Sequence, residues 1–155
     1  MLFGGKVEAI LKKKTGQDAI IEIDNLLSPV FYKKPQNLSM PEKNICYIED
    51  LEREVNNGGL DQFFLNSSGD NTQETITALR QIGSMRFLGI LESAAQQFPE
   101  ARVPKDRDER MAVMEQIEDK TGPIWDSLDT EFYKYEEDIY GLLISYIQGH
   151  IKDFR

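Results

Sequence analysis

The chain has few of the residues on which most catalytic and metal sites depend. Its 155 residues include one cysteine, one histidine and one tryptophan. A single cysteine excludes an internal disulfide, and there is no His/Cys cluster of the kind that holds zinc. No apolar run approaches the ~18 residues of a membrane span, and the opening residues are too short for the apolar core of a signal peptide. We therefore expect a cytoplasmic protein with no metal site, no cofactor and no membrane contact.

The two side chains most often used as base or nucleophile lack suitable neighbours in sequence. His150 lies near the end of the chain, where we expect it to complement the dipole at the end of a helix. Cys46 is followed by Glu49 and Asp50, whereas a reactive thiol needs electropositive surroundings, so a buried structural thiol is expected. Carboxylates are abundant, but acid–base catalysis needs two of them in one cleft with separated pKa values. No catalytic residue is predicted, and the chain is not expected to be an enzyme.

The acidic residues are concentrated in the later part of the chain. The formal net charge is −9, yet residues 1–40 hold six lysines against four Asp or Glu. Within residues 115–138, nine acids stand against two lysines, a local charge of −7. Affinity for nucleic acid comes from Lys and Arg that neutralise phosphates. Direct nucleic-acid binding is therefore disfavoured.

Hydrophobic spacing and capping signals predict an all-α fold. Apolar residues recur three or four positions apart through most of the chain, and no stretch alternates as a strand does. Helix starts are indicated at Ser39, Asn71 and Asp106, each of which is followed three residues later by Glu. The sequence predicts a compact single-domain bundle of about seven to nine helices joined by short loops.

Proline and glycine predict where helices are interrupted. Ser28-Pro29 is expected to bend or end one helix, and Thr121-Gly122-Pro123 is expected to separate two others. The proline-containing stretch before residue 41 is the most linker-like part of the chain. We therefore divide the chain into residues 1–40, a helical extension packed on the main domain, and residues 41–155, the main helical domain.

Residues 52–70 are the most informative stretch for the fold. An amphipathic run reaches Asn56-Asn57-Gly58-Gly59, and glycine accepts the left-handed conformation that ends a helix. We predict that the helix stops here with a positive φ at Gly58. The next apolar block, which contains Phe63 and Phe64, is under two turns long, and isolated helices under ~12 residues are marginal in water. Both phenylalanines are therefore predicted to anchor the core.

The same stretch resembles the signature of a known family. The residues that carry the resemblance are Glu54, Asn57, Gly58, Gly59, Gln62, Phe63, Phe64 and Asn66. They are similar to the C-terminal-domain family of bacterial DNA-mimic proteins, and the similarity continues through residues 78–83, 98–99, 128–133 and 138–154. The resemblance implies an all-helical domain and an acidic protein that imitates DNA and binds a DNA-binding regulator. Leu60 stands where the family has an aromatic residue, which should alter packing more than chemistry.

Polar side chains lie around two glycine corners of this stretch, the first at Gly58-Gly59 and the second at Gly69. They are Glu54, Asn56, Asn57, Gln62 and Asn66. We expect their amides and carboxylate to satisfy backbone groups at the glycine corners, because buried turns require such partners. The alternative is a small polar recognition site between the corners.

The leading functional hypothesis is a non-enzymatic, acidic protein-binding domain. Its predicted partner-binding face consists of Glu115, Glu118, Asp119, Asp126, Asp129, Glu131, Glu136, Glu137 and Asp138. The resemblance implies that this face imitates DNA and docks on a basic DNA-binding protein; a merely solvating role for the acids is the competing interpretation. The alternatives are an immunity-type protein that neutralises a basic toxin, and an enzyme or small-ligand binder that uses the Asn-Gly-Gly corner. Either a monomer or a homodimer fits this hypothesis.

Overall fold

Seven α-helices and no strand make up residues 3–154, which are the part described by the computed structural model. The helices are α1 (Gly4–Lys13), α2 (Gly16–Lys33), α3 (Met40–Leu65), α4 (Thr72–Ile82), α5 (Met85–Ala95), α6 (Arg107–Tyr133) and α7 (Ile139–Gly149). Single 3-10 turns occur at Pro35–Asn37, Ser67–Asn71, Pro99–Ala101 and Ile151–Asp153. The all-α prediction with seven to nine helices and short loops is confirmed. Met1, Leu2 and Arg155 lie outside the described residues, and so do the predicted limits at residues 1 and 155.

The chain groups into two compact units. One consists of residues 3–49 and 138–154, and the other is Asp50–Glu137. In the first unit α1 and α7 both pack against α2, and the apolar faces of these helices bury Val7, Ile23 and Leu143 completely. The division into residues 1–40 and 41–155 remains a prediction.

Two of the predicted capping signals form as expected. At the start of α3 the Ser39 amide donates to the Glu42 carboxylate at 2.8 Å, and the Glu42 amide donates to the Ser39 hydroxyl at 3.3 Å. At the start of α6 the Glu109 amide donates to the Asp106 carboxylate at 2.9 Å. Each bond satisfies an amide that the first helical turn leaves without a partner.

The third capping signal, Asn71 with Glu74, correctly predicts the start of a helix, but the predicted capping hydrogen bonds do not form. α4 begins directly after Asn71, but the Asn71 side chain makes no capping hydrogen bond within residues 3–154. The Glu74 carboxylate instead accepts a charge-assisted hydrogen bond from Lys105 at 2.9 Å. A tertiary partner has replaced the local one.

Neither of the two prolines, Pro29 and Pro123, ends its helix. α2 runs through Pro29 to Lys33, and α6 is one continuous helix through Pro123. The predicted separation at Thr121-Gly122-Pro123 is therefore wrong. A proline inside a helix removes one hydrogen bond and costs about 3 kcal/mol. In α6 that cost is offset by tertiary packing on the buried face, where Trp125 is 4% exposed and Phe132 is fully buried.

The predicted helix stop at the two glycines is a sharp kink within α3. Gly58 has φ −158° and ψ 20°, while Gly59 has φ 76° and ψ −178°. The positive φ is thus at Gly59, and its prediction at Gly58 is wrong by one residue. A Cβ at Gly59 would lie 3.1 Å from Cγ of Asp129, and a Cβ at Gly58 would lie 2.9 Å from Cβ of Gln62. Backbone conformation and close approach require glycine at position 59, whereas at position 58 close approach alone does.

An aromatic cluster holds the short helical segment after the kink, residues 60–65. Phe63 and Phe64 are fully buried, which confirms them as core residues. The Phe64 ring stacks on Trp125 with centroids 5.0 Å apart and meets Phe98 edge-on at 5.1 Å. We call Phe63, Phe64, Phe98 and Trp125 the Phe64 cluster. It ties the short segment to α6 and to the end of α5.

A second aromatic cluster lies at the C-terminal end of α6. Phe132 meets Phe87 edge-on with centroids 4.8 Å apart, and Tyr135 lies 5.7 Å from Phe132. Phe132 is fully buried and Phe87 is 1% exposed. We call Phe87, Phe132 and Tyr135 the Phe132 cluster. The middle of α6, at Trp125, and its C-terminal end are therefore held by separate aromatic groups.

Candidate functional site: an acidic groove

An open groove lies between the segment after the α3 kink and α6, wholly within Asp50–Glu137. It encloses about 630 Å³. Its charged lining residues are Asp61, Glu115, Glu118, Asp126 and Asp129. The rest of its lining consists of Gly58, Leu65, Met111, Met114, Thr121, Gly122 and Trp125. No lysine or arginine of residues 3–154 lines it, so we call it the acidic groove.

The continuity of α6 explains why distant acids meet in the groove. Glu115, Glu118, Gly122, Asp126 and Asp129 are spaced three or four residues apart, which places them on one face of a helix. A break at Gly122-Pro123 would have separated the first pair of acids from the second. The unbroken helix instead aligns them along one wall.

Four of the groove acids have no partner within the described chain. Asp61, Glu115, Glu118 and Asp126 are exposed, and their carboxylates make no hydrogen bond or ion pair to any residue of 3–154. Like charges lining a concave surface focus the negative potential there. The groove is therefore built to attract cationic groups.

Asp129 has a structural role at the end of the groove. Its carboxylate accepts a hydrogen bond at 2.8 Å from the Leu60 amide, at the start of the short segment after the kink. Burial raises the pKa of the Asp129 carboxyl, the nearby Asp126 and Asp61 raise it further, and the Leu60 hydrogen bond acts in the opposite direction. Asp129 therefore fixes the glycine corner through its bond to Leu60.

The floor of the groove is apolar. Met111 and Leu65 are half-buried, and Met114 keeps 8% of its surface exposed. Trp125 lies beside them, with its indole N–H donating to the Ala94 carbonyl at 3.1 Å. The groove thus combines acidic edges with a methionine-rich base.

The remaining predicted partner-binding acids lie elsewhere, and most have partners. Glu131 binds Lys134 at 2.8 Å, and Arg86 contacts both Glu131 and Glu136. The Lys134 contact lowers the pKa of Glu131. Glu137 accepts from the Ser84 hydroxyl at 2.7 Å. These three acids neutralise or orient neighbouring groups.

Two predicted acids, Asp119 and Asp138, lie outside the groove and form no ion pair with any residue of 3–154. Asp138 caps α7, where its carboxylate accepts from the Gly141 amide at 3.1 Å. Asp119 is exposed on α6 but does not line the groove. The structure therefore brings together four of the nine predicted acids, Glu115, Glu118, Asp126 and Asp129.

The polar residues around the glycines mostly bind one another. Oε2 of Glu54 accepts from the side-chain amides of Gln62 at 2.8 Å and Asn66 at 2.9 Å. The Asn56 amide donates to the Tyr135 hydroxyl at 2.8 Å, and Asn57 is exposed. We expected these amides to bind backbone groups at the corners, but the partners in these contacts are side chains. The set forms a side-chain network that links the two arms of the kink.

Backbone groups near the second corner, at Gly69, are bound by Arg110, which sequence reasoning missed. This fully buried guanidinium donates to the carbonyls of Phe64 at 2.5 Å and Asn66 at 2.9 Å, and to the Asp70 carboxylate at 2.8 Å. The Nη1 group of Arg110 donates to the carbonyls of Pro104 at 3.0 Å and Lys105 at 3.1 Å. An arginine four residues after the Asp106 cap gave no local signal of burial, because three of its five acceptors, at Phe64, Asn66 and Asp70, come from a distant part of the chain.

Asp61 is the groove residue that the charge count missed. It lies 54 positions before Glu115 in sequence and belongs to no acidic run. If residues 60–65 are taken as a helix, the position of Asp61 can be inferred from the sequence. Leu60, Phe63 and Phe64 face the core, so Asp61 and Leu65 lie on the outward face. Only the fold shows that this outward face borders α6.

Other candidate chemistry finds no support in the geometry. Among residues 3–154, no three His, Cys, Asp or Glu side chains are grouped so as to hold a metal ion. His150 follows α7, with Nδ1 2.8 Å from the Tyr146 carbonyl oxygen, and Cys46 is 1% exposed. No helix in the described part of the chain is both long enough and apolar enough to cross a membrane.

The comparison with known families covers this whole region. The model of a family described as DMP19-like protein matches residues 36–150. The match includes every residue that lines the acidic groove, together with the glycine corner. No curated protein and no solved structure matches the chain.

Proposed function

The chain belongs to the family of DMP19-like proteins, and we propose that it is a non-enzymatic protein that docks on a basic DNA-binding protein by imitating DNA. One observation carries the proposal: five carboxylates converge on one groove that no basic residue of the described chain lines. Charges without internal partners are free to pair with an external one. The expected partner is therefore a protein with an exposed cluster of Lys and Arg.

The spacing of the groove charges is compatible with imitation of a nucleic-acid backbone. From Glu115 to Asp129 the helix rises about 21 Å at ~1.5 Å per residue. Four of the five groove carboxylates lie over that length, which corresponds to one charge per about 5 Å of helix axis, against 3.4 Å per charge along a single strand of B-DNA. The charge density of the α6 wall is thus nearer to that of one strand than to that of the duplex, which carries one charge per ~1.7 Å.

The position of the acids also supports a binding role over a solvating one. A solvating charge can lie anywhere on the surface and is usually interspersed with charges of the other sign. In the groove four unpartnered acids face one open volume. Repulsion between them opposes folding slightly, which is the usual cost of a functional cluster.

The test is partner capture with a groove variant and a charge-matched control. The groove variant carries Glu115→Gln, Glu118→Gln and Asp126→Asn, and it keeps Asp129 because of its bond to Leu60. The control carries Asp108→Asn, Glu109→Gln and Asp119→Asn, three exposed acids of the same helix outside the groove. Both variants change the net charge equally.

In lysate of the native host, the wild type should retain a basic DNA-binding protein at low salt and release it at high salt, because exposed charge pairs are screened beyond ~8–10 Å. The control should retain this partner, the groove variant should lose it, and duplex DNA should displace it. Equal retention by both variants, or no displacement by DNA, would refute DNA mimicry at this groove. Capture of a basic toxin in place of a DNA-binding protein would move the function to the immunity class.

A further inference from the structure

We propose, on the basis of this docking function, that the acidic groove receives a basic amphipathic helix of the partner, whose apolar side chains enter the groove. Charge alone does not call for a groove, because exposed carboxylates on a flat surface attract a basic protein as well. The groove encloses about 630 Å³. That volume lies in the ~300–1,000 Å³ range of sites that enclose part of a ligand.

The floor supplies the apolar half of such a contact. Leu65, Met111, Met114 and Trp125 line the groove together. Methionine side chains are flexible and polarisable, and proteins that bind amphipathic helices of varied sequence use them for that reason. A bound helix would cover this floor with its own apolar face.

Gly122 leaves open space in the wall of the groove, because it has no side chain. It lies on the groove face of α6, and a Cβ at this position would meet no heavy atom within 4 Å. Packing within residues 3–154 therefore does not require glycine at position 122, because the space beside it is empty of their atoms. That space is available to one bulky side chain of a partner.

The length and charge of the groove specify the occupant. From Met111 to Asp129 the α6 wall extends about 27 Å at ~1.5 Å per residue, the length of an 18-residue helix. Asp61 borders one side, while Glu118 and Asp126 come from the α6 wall. Lys and Arg on the flanks of a helix reach such acids while their apolar neighbours point into the groove.

The test uses two synthetic 18-residue peptides made only of Leu, Ala, Lys and Arg. In the first, Leu recurs at helical spacing to form one stripe; in the second, the same residues are permuted so that no stripe forms. Trp125 is the only tryptophan of the chain and lines the groove, so its emission reports occupancy. Affinity is measured separately, by anisotropy of the labelled peptide.

The striped peptide should shift the Trp125 emission and bind at least tenfold more tightly than the permuted one, with a part of its affinity that survives high salt. Gly122→Leu, which fills the open space without changing charge, should weaken the striped peptide at least tenfold. Gly122→Ala is the matched control and should bind as wild type. Met111→Gln replaces one apolar side chain of the floor by a polar one of similar length and should also weaken binding of the striped peptide. This variant provides a second measurement if Gly122→Leu is poorly folded.

Equal affinity for both peptides, or a folded Gly122→Leu protein that binds the striped peptide normally, would overturn the helix proposal. Neither result would affect the docking function, which depends on loss of partner by the charge variant. Conversely, normal partner capture by the charge variant would remove the docking function whatever the peptides do.

Discussion

The acidic groove and the C-terminal end of α6 are both rich in acidic residues, but their charges have different surroundings. In the groove, Asp61 and Asp126 face open space without partners. In the other region, which begins directly after Asp129, the acids are engaged: Arg86 contacts Glu131 and Glu136. Charge density along the chain is alike in the two regions, but only in the first is it left uncompensated. The comparison shows that an acidic segment must be divided by its contacts before a function is assigned to it.

Each region also has its own aromatic support. The Phe64 cluster includes Trp125, which lines the groove, and the Phe132 cluster consists of residues next in sequence to Arg86, Glu131 and Glu136, which contact one another. Since the two clusters share no residue, damage to one should leave the surface above the other intact. The comparison can therefore be tested separately for stability and for binding.

The largest effect is expected from truncating the two aromatic anchors. Phe64→Ala and Phe132→Ala each remove a fully buried ring and should lower the free energy of unfolding by about 3–5 kcal/mol. Chemical denaturation measures both losses. Binding of the striped peptide, measured where both proteins are folded, should fall only for Phe64→Ala, because Phe64 supports Trp125.

If Phe132→Ala weakened the peptide as much as Phe64→Ala, the groove would depend on the whole of α6 and the two regions would not be separable. Phe64→Leu and Phe132→Leu serve as milder controls, since they keep most of the apolar volume.

The sequence predicted the elements that are determined locally. Glu42 three residues after Ser39, and Glu109 three residues after Asp106, specify helix starts through bonds within one turn. Phe63 and Phe64 could be placed in the core because a segment so short has no other source of stability. Such features need no knowledge of the rest of the chain.

The errors came from features that depend on distant residues. Pro123 indicates a helix end locally, but packing of Trp125 and Phe132 holds α6 together across it. The positive φ falls on Gly59 rather than Gly58, at the residue that packs against Asp129, whose carboxylate accepts from the Leu60 amide 69 positions earlier. The groove itself required Asp61 to be placed beside α6, which no local pattern shows.

A moderate effect is expected when the charges of the two regions are altered in turn. Arg86→Gln removes the cation beside Glu136, and loss of that exposed pair should cost up to about 1 kcal/mol of stability. Asp126→Asn removes a carboxylate one turn from Asp129, and relief of this like-charge contact should leave stability unchanged or raise it by roughly 0.2–0.5 kcal/mol. Thermal unfolding at low and high salt measures both, and salt should shrink both differences. A clear loss of stability in Asp126→Asn would mean that the groove acid has a structural role after all.

The smallest effect concerns the titration of Asp129. Burial raises the pKa of this carboxyl, and Asp126 contributes more to the increase than Asp61 does. Because the folded-state pKa lies above the unfolded one, the folded protein binds this proton more readily. The resulting contribution to stability grows as pH falls through the folded pKa and is lost as pH rises through it.

Asp126→Asn should therefore lower the pKa of Asp129, and Asp61→Asn should lower it by less, as followed by NMR titration of the side-chain carboxyl carbon. Asp119→Asn is the control: it removes an acid of the same helix that lies outside the groove, and it should leave the titration where it was. A basic peptide in the groove should lower the same pKa, because a nearby cation favours the charged carboxylate, so binding should strengthen as pH rises through it. If Asp126→Asn left the pKa in place, burial alone would account for it, and the groove acids would not act on one another as the contrast with the Arg86 region requires.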